Sequence, residues 1–215
     1  MAVRHARVIA SGAHLAPLVG AAADIVICAD GGLAAAIEAQ LRVDVVVGDL
    51  DSASAADLDA AAAAGAEILR HPATKDETDL ELALLEAMDR GAASIAVHLA
   101  DGGRLDHQLA NLVVLASPRW RSARVSAWVG ENRVWVVHGE LELPLAAGAA
   151  VALQAVAGPA TVTTTGLAYP LHGEVLRSTE ARGIANEVIS APATVRVDDG
   201  VVLVLSPPGQ SAQAT

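Results

Sequence analysis

From the N-terminus to Pro118, short apolar runs alternate with Ala- and Leu-rich stretches of helical period. Val8–Ala10, Ile25–Ala29, Val43–Val47, Glu67–Leu69 and Ile95–Ala100 predict strands buried on both faces, because apolar residues fill consecutive rather than alternate positions. Gly32–Gln40, Ser54–Ala64, Asp79–Arg90 and Asp106–Ala116 predict the intervening helices. Thr78 and Glu81 have the spacing of a capping box at the third helix start. Such alternation predicts an α/β fold with a doubly wound parallel sheet.

Beyond Pro118 the pattern becomes short β-like runs separated by turn residues. Arg124–Val129, Val134–Val137, Glu140–Leu143, Ala149–Ala155, Thr161–Thr165, Thr194–Val197 and Val201–Leu205 predict strands. Asp199-Gly200, flanked by valines, predicts a tight hairpin. The expected division is an N-terminal α/β domain over residues 1–128, a C-terminal all-β sandwich-like domain over 129–208, and a flexible tail over 209–215.

Composition narrows the classes. The 215 residues are 53% hydrophobic and 18% charged, which excludes a disordered chain or coiled coil. With no Phe, one Tyr and three Trp, the core must be built from Val, Leu, Ile and Ala. A net charge of −11 and the lack of any basic run argue against nucleic acid or an anionic membrane as partner. Cys28, in an apolar run, is the only cysteine and has no internal disulfide partner, so nothing marks an oxidising compartment. Arg4 and Arg7 precede apolar residues as in a signal peptide, but Ser11, Gly12, His14, Pro17 and Asp24 break the run too early. Residues 143–173 carry no Asp, Glu, Lys or Arg, yet their Pro, Gly and Thr residues are at odds with a membrane helix. The expectation is a cytoplasmic protein.

The acidic residues of the first half recur just past predicted strands. Asp30 leads into Gly31-Gly32; Asp49 and Asp51 follow Gly48; Asp76 and Asp79 lie beside Lys75; Asp101 and Asp106 flank Gly102-Gly103-Arg104 and precede His107. In an open parallel sheet these positions share one edge, where ligands bind. Clustered carboxylates repel unless a cation sits among them, and Mg²⁺ takes carboxylate oxygens together with substrate phosphates. The absence of a Cys/His ligand cluster argues against zinc. The glycine pairs admit a ligand close to the backbone, and Lys75 and Arg104 supply positive charge. Together they predict a nucleotide-dependent phosphoryl or pyrophosphoryl transferase.

Each segment alone is equally a turn or a cap: Ser52, Ser54 and Thr78 suit helix starts, and Asp106 suits a helix dipole. Their coincidence at successive strand ends is what points to a site. Loops of the G-x-x-x-x-G-K-[ST], G-x-G-x-x-G and G-x-S-x-G types are absent. His5, His14, His98, His138 and His172 stand alone, while His71 and His107 border the acidic segments.

Ala29-Asp30-Gly31-Gly32, Gly48-Asp49-Leu50-Asp51-Ser52, Lys75-Asp76-Glu77-Thr78-Asp79 and Gly102-Gly103-Arg104-Leu105-Asp106-His107 resemble, in order and spacing, motifs of the thiamine pyrophosphokinases. Gly166–Leu171 and Gly183–Glu187 agree more loosely. The resemblance implies an α/β nucleotide domain followed by a β-sandwich, a homodimer, and transfer of diphosphate from ATP to thiamine, giving thiamine diphosphate and AMP. It implies that Asp30, Asp49, Asp51 and Asp79 hold Mg²⁺ directly or through water, with Lys75, Asp76, Thr78, Arg104, Asp106 and His107 around the nucleotide. Gly31, Gly32, Ser52, Gly102 and Gly103 fall in the same motifs, and Asn186 falls in a thiamine pocket completed by a partner subunit. Family members carry Ser before that Asn and an aromatic residue soon after; here Ala185 and Val188 stand there, which predicts weaker thiamine binding or recognition by other side chains.

Three alternatives fit parts of this pattern. The same chemistry on a hydroxymethylpterin fits the altered pocket. A haloacid-dehalogenase-like phosphatase fits Val45–Asp51, although its Asp-x-Asp pair belongs on a first strand rather than a third. The last is a nucleotide-binding regulator without catalysis.

Overall fold

The computed structural model describes residues 4–10 and 22–210. The segment holding Ser11, Gly12, His14 and Pro17, and residues 211–215 of the expected tail, lie outside the described residues. The fold is mixed α/β, with a large sheet and a second antiparallel sheet. The chain groups into two compact units, Met1–Asn111 with Ser122–Glu131, and Leu112–Arg121 with Asn132–Thr215.

In the first unit, strands β1 (His5–Ile9), β2 (Ile25–Ala29), β3 (Val45–Gly48), β4 (Glu67–Arg70), β5 (Ser94–Leu99) and β6 (Arg124–Val129) are joined through helices α1 (Gly32–Glu38), α2 (Ala55–Ala63), α3 (Asp79–Asp89) and α4 (Leu105–Leu115). These six strands run parallel in the order β6-β5-β1-β2-β3-β4. Every residue of β2 and β3 is buried, which explains their unbroken apolar runs. On one face, Leu33, Ala36, Leu58 and Ala61 of α1 and α2 pack with Val26, Cys28 and Val46. Ile27, Val45 and Val47 point the other way, and α3 packs on β1, β2 and β3. Each buried Val, Leu or Ile among them contributes about 1.5–3 kcal/mol. The Cys28 thiol is buried, and that burial, with the charge of Asp44, pushes its pKa up to about 12.

The chain steps outward from β1 to β4, then returns through α3 to β5 on the other side of β1. Strand order therefore reverses between β1 and β5, which opens a crevice beyond their carboxyl ends. α1 begins hard against β1: a Cβ on Gly32 would lie 2.0 Å from the Ile9 carbonyl oxygen.

The second unit holds β7 (Asn132–Val137), β8 (Glu140–Leu143), β9 (Ala150–Gln154), β10 (Ala160–Thr165), β11 (His172–Leu176), β12 (Asn186–Glu187), β13 (Ala193–Asp199) and β14 (Val202–Ser206). β12, β9, β14 and β7 lie side by side, antiparallel; β11, β10, β13 and β8 form the second sheet. Val151 and Leu153, Val162, Val195 and Val197, and Val202 and Val204 fill one core between the two sets. The uncharged stretch 143–173 thus supplies strands. Among the described residues, no helix is long and apolar enough to cross a membrane.

Both ring nitrogens of His138 are buried and, among the described residues, have no hydrogen-bond partner. That burial, and then the charge of Arg121, lower its pKa. The unfolded chain therefore binds the proton first, and stability present above about pH 6.5 is lost as pH falls below it. The thermal midpoint should drop by a few degrees between about pH 7.5 and 5.5, and less in His138→Leu, as followed by circular dichroism. Equal slopes in the two proteins would assign the loss to other groups.

Candidate active site

Three of the predicted carboxylates converge. Asp30 ends β2 in a left-handed conformation (φ 43°), its amide donating to Val47 O at 2.9 Å. Asp49 follows β3. Asp79 opens α3, whose start is fixed by the capping box: Thr78 Oγ1 accepts from Glu81 N at 3.2 Å, and Glu81 Oε2 accepts from Thr78 N at 3.0 Å. Ligand oxygens of Asp30, Asp49 and Asp79 all lie within 4.8 Å of one another. Gly48 makes this possible, because at φ 144° it stands where a Cβ would be 2.9 Å from Asp79 Oδ1 and 3.2 Å from Asp30 Cβ.

Lys75 Nζ lies 2.9 Å from Asp79 Oδ1 and 3.7 Å from Asp49 Oδ2. Asp79 Oδ1 is buried and accepts no well-formed hydrogen bond among the described residues, so Lys75 is its counter-charge. Burial works to lower the Lys75 pKa, but contact with Asp79 and the charges of Asp79, Asp49 and Asp30 outweigh it and raise it. One ammonium against three carboxylates leaves the group short of positive charge. The donor set is all oxygen, which suits a hard divalent cation.

A cleft of about 520 Å³ opens beside this group, lined by Asp30, Lys75, Thr78, Asp79 and the Asp101–Arg104 loop. His107, Gln108 and Asn111 line it from α4, spaced with Arg104 as one helix face. Arg104 is gripped by Asp106 through Nε (3.1 Å) and Nη2 (2.6 Å). That pairing raises the Arg104 pKa and, with the His107 amide, holds Asp106 at about 2.

The other expected residues lie differently. Asp51 is not in the carboxylate group; it is exposed and accepts from Ser52 Oγ at 3.0 Å. Ser52 N donates to Asp30 Oδ1 at 3.2 Å, so its backbone orients a ligand carboxylate. Asp76 is exposed and outside the cleft lining, where Glu77 stands instead. Gly31 is the N-cap of α1, and Gly32 serves close packing. Glu77, Gln108 and Asn111 were not singled out from the sequence, although helical spacing from Arg104 marks the last two.

In the second unit, Asn186 is buried and its amide clamps the backbone of Tyr169. Oδ1 accepts from Tyr169 N (3.0 Å) and Glu187 N (3.0 Å), and Nδ2 donates to Tyr169 O (2.8 Å). Ala185 is left-handed (φ 58°) and exposed. Val188 is fully buried and bridges Leu167, while the Tyr169 side chain remains 70% exposed.

Comparison with known proteins extends these features. Residues 17–127 match the family model described as thiamin pyrophosphokinase, catalytic domain, and residues 140–202 match thiamin pyrophosphokinase, vitamin B1 binding domain. No curated protein sequence matches. The fold is similar to thiamine pyrophosphokinase from Bacillus subtilis (22% identity, 96% of this chain and 100% of that one, TM-score 0.82). It is also similar to a thiamin pyrophosphokinase family protein from Enterococcus faecalis (25% identity, 96% and 100%, TM-score 0.79). Thiamin pyrophosphokinase from Candida albicans is more distant in sequence (14% identity, 95% and 89%, TM-score 0.75). With both halves matched by models of one family, the chain belongs to the thiamin pyrophosphokinases.

Proposed function

We propose that this chain transfers the β,γ-diphosphate of ATP to the hydroxyl of thiamine, with Mg²⁺ as cofactor, giving thiamine diphosphate and AMP. The convergence of Asp30, Asp49 and Asp79 beside Lys75 at the cleft carries the reading. The residues fit the ion: three carboxylates meet in an all-oxygen set whose negative charge the single Lys75 ammonium only partly offsets. Asp30, Asp49 and Asp79 would hold Mg²⁺, which when bound neutralises polyphosphate charge and withdraws electrons from the phosphorus under attack. Asp51 acts one shell further out, through Ser52.

Lys75 keeps its proton and meets phosphate oxygens from the flank of the carboxylates. Arg104, aimed by Asp106, offers its remaining guanidinium donors to the triphosphate, and the Gly102-Gly103 turn admits it without side-chain obstruction. The thiamine oxygen forms a bond to the β-phosphorus as the bond to the α-phosphate bridging oxygen breaks; AMP departs and the alcohol proton is released. Lys75, with its raised pKa, keeps its proton, and Asp106, held at about 2 by Arg104, is too weak a proton acceptor for the alcohol, so neither serves as base.

We read the first domain, 1–128, as a doubly wound nucleotide domain and the second, 129–208, as a β-sandwich that recognises thiamine, with 209–215 as a tail. In the second, Tyr169 presents an aromatic face, clamped by Asn186, to the rings of thiamine, whose thiazolium is cationic. We further propose a homodimer: Leu105, Leu109 and Val113 form an exposed apolar stripe on α4 that a second copy would cover. A cytoplasmic setting suits a lone buried cysteine. Neither the pterin nor the phosphatase alternative accounts for a second half that matches a vitamin B1 binding domain.

With Mg-ATP and thiamine, AMP and thiamine diphosphate should form in equal amounts, resolved by chromatography; ADP in place of AMP would refute diphosphate transfer. Asp49→Asn and Asp79→Asn should each lower kcat/KM more than about a hundredfold, whereas Asp51→Asn should cost about tenfold, the range of outer-shell partners. Equal losses at all three would return Asp51 to the direct ligands. Tyr169→Ala should raise the KM for thiamine about threefold to tenfold and leave that for ATP unchanged, with Tyr169→Phe near wild type. An unchanged thiamine KM in Tyr169→Ala would remove the ring from the pocket.

A further inference from the structure

The turn between β5 and α4 is poorly held by packing. Gly102 and Gly103 are successive left-handed residues (φ 81° and 73°), and a Cβ built on either would meet nothing within 4 Å. Asp101 through His107 are all exposed. Two adjacent glycines carry the largest conformational freedom a chain can have, so this segment needs a specific tie to keep one shape. Among the described residues, the one hydrogen bond reaching either glycine comes from Gln108 Nε2, which donates to Gly102 O at 2.7 Å. Gln108 sits one turn inside α4, so its amide reaches back over the helix start, and its own N–H donates to Arg104 O at 3.1 Å. Side chain and backbone of one residue thus grip both ends of Gly102–Arg104. Gln108 is half-buried and lines the same cleft as Gly102, Gly103 and Arg104.

We propose that Gln108 is a positioning residue for the nucleotide. By fixing the Gly102-Gly103 turn, it presets both the opening through which polyphosphate approaches the backbone and the point from which Arg104 is directed. Its effect passes through the turn, and it touches no reacting atom. This inference rests on the nucleotide reading of the cleft.

The test uses the full chain carrying Gln108→Met, which keeps length and shape but cannot donate. Hydrogen–deuterium exchange of the peptide spanning residues 101–105, without ligand, reads the turn directly, and it should speed up in the variant while the melting midpoint stays unchanged. Binding of Mg²⁺ with α,β-methylene-ATP, measured by calorimetry, should weaken about threefold to tenfold, the worth of one net hydrogen bond. In turnover, the KM for ATP should rise by the same factor, with kcat and the KM for thiamine within about twofold. Unchanged exchange would overturn the tie. Faster exchange with unchanged nucleotide affinity would overturn its role in positioning. Wild-type protein that fails to bind the analogue would overturn the nucleotide reading itself, and this inference with it.

Discussion

The first unit is organised around an electrostatic problem: three carboxylates held within 4.8 Å of one another, with one lysine among them. Like charges at that distance repel strongly once partly buried, so the arrangement persists only where the backbone leaves no alternative. Each approach is fixed separately. Asp30 is turned inward by a left-handed backbone and tethered by Ser52 N. Asp79 is locked at a helix start by a reciprocal cap. Gly48 leaves empty the space a Cβ would occupy between them. Residues in sparsely populated conformations cluster where function requires geometry that packing alone would not choose, and Asp30 and Leu50 are both of that kind.

Strand order determines why these loops meet at all. Reversal at β1 frees the space beyond its carboxyl end; the segments after β2, β4 and β5 line that cleft, and Asp49 after β3 meets Asp30 and Asp79 beside it. Interior demands and site demands are therefore met by one chain pattern. Runs such as Val45–Val47 must be apolar to be buried on both faces, and they must stop at Gly48-Asp49 so that the carboxylate emerges at the edge. The cap at Thr78 does double duty in the same way, since the residue it places at the head of α3 is a member of the acidic group.

Much of this was legible in the sequence because it depends on local rules. Strand ends, the capping box and the glycines announce themselves within a few residues. The orientation of Asp51 depends on a longer-range contact. In an extended segment Asp49 and Asp51 would share a face, but Leu50 adopts φ 61° and buries its side chain among Leu33, Val46 and Leu58. That turn points Asp51 toward Ser52. Nothing in the residue letters distinguishes this from a strand; the pull of a core leucine decides it. β11 and β12 escaped notice for a related reason, since His172–Leu176 and Asn186-Glu187 lack apolar alternation and owe their pairing to neighbouring strands. Gln108 and Asn111 were within reach through helical spacing from Arg104, but polar residues on a helix face draw no attention until the face is known to border a cleft.

The second unit shows how composition redistributes a role. This chain has no Phe, and its core is aliphatic, so the lone Tyr is not needed for packing. Val188 is consumed by the core, bridging Leu167 at zero exposure. Across that bridge Tyr169 remains exposed, yet its backbone is held on both N–H and C=O by a buried Asn186. A buried amide engaged in three hydrogen bonds is costly to disturb, because removing it would leave backbone groups unsatisfied. Asn186 thus fixes the backbone on which the exposed Tyr169 ring stands, which is the observation behind the proposal that this ring faces thiamine.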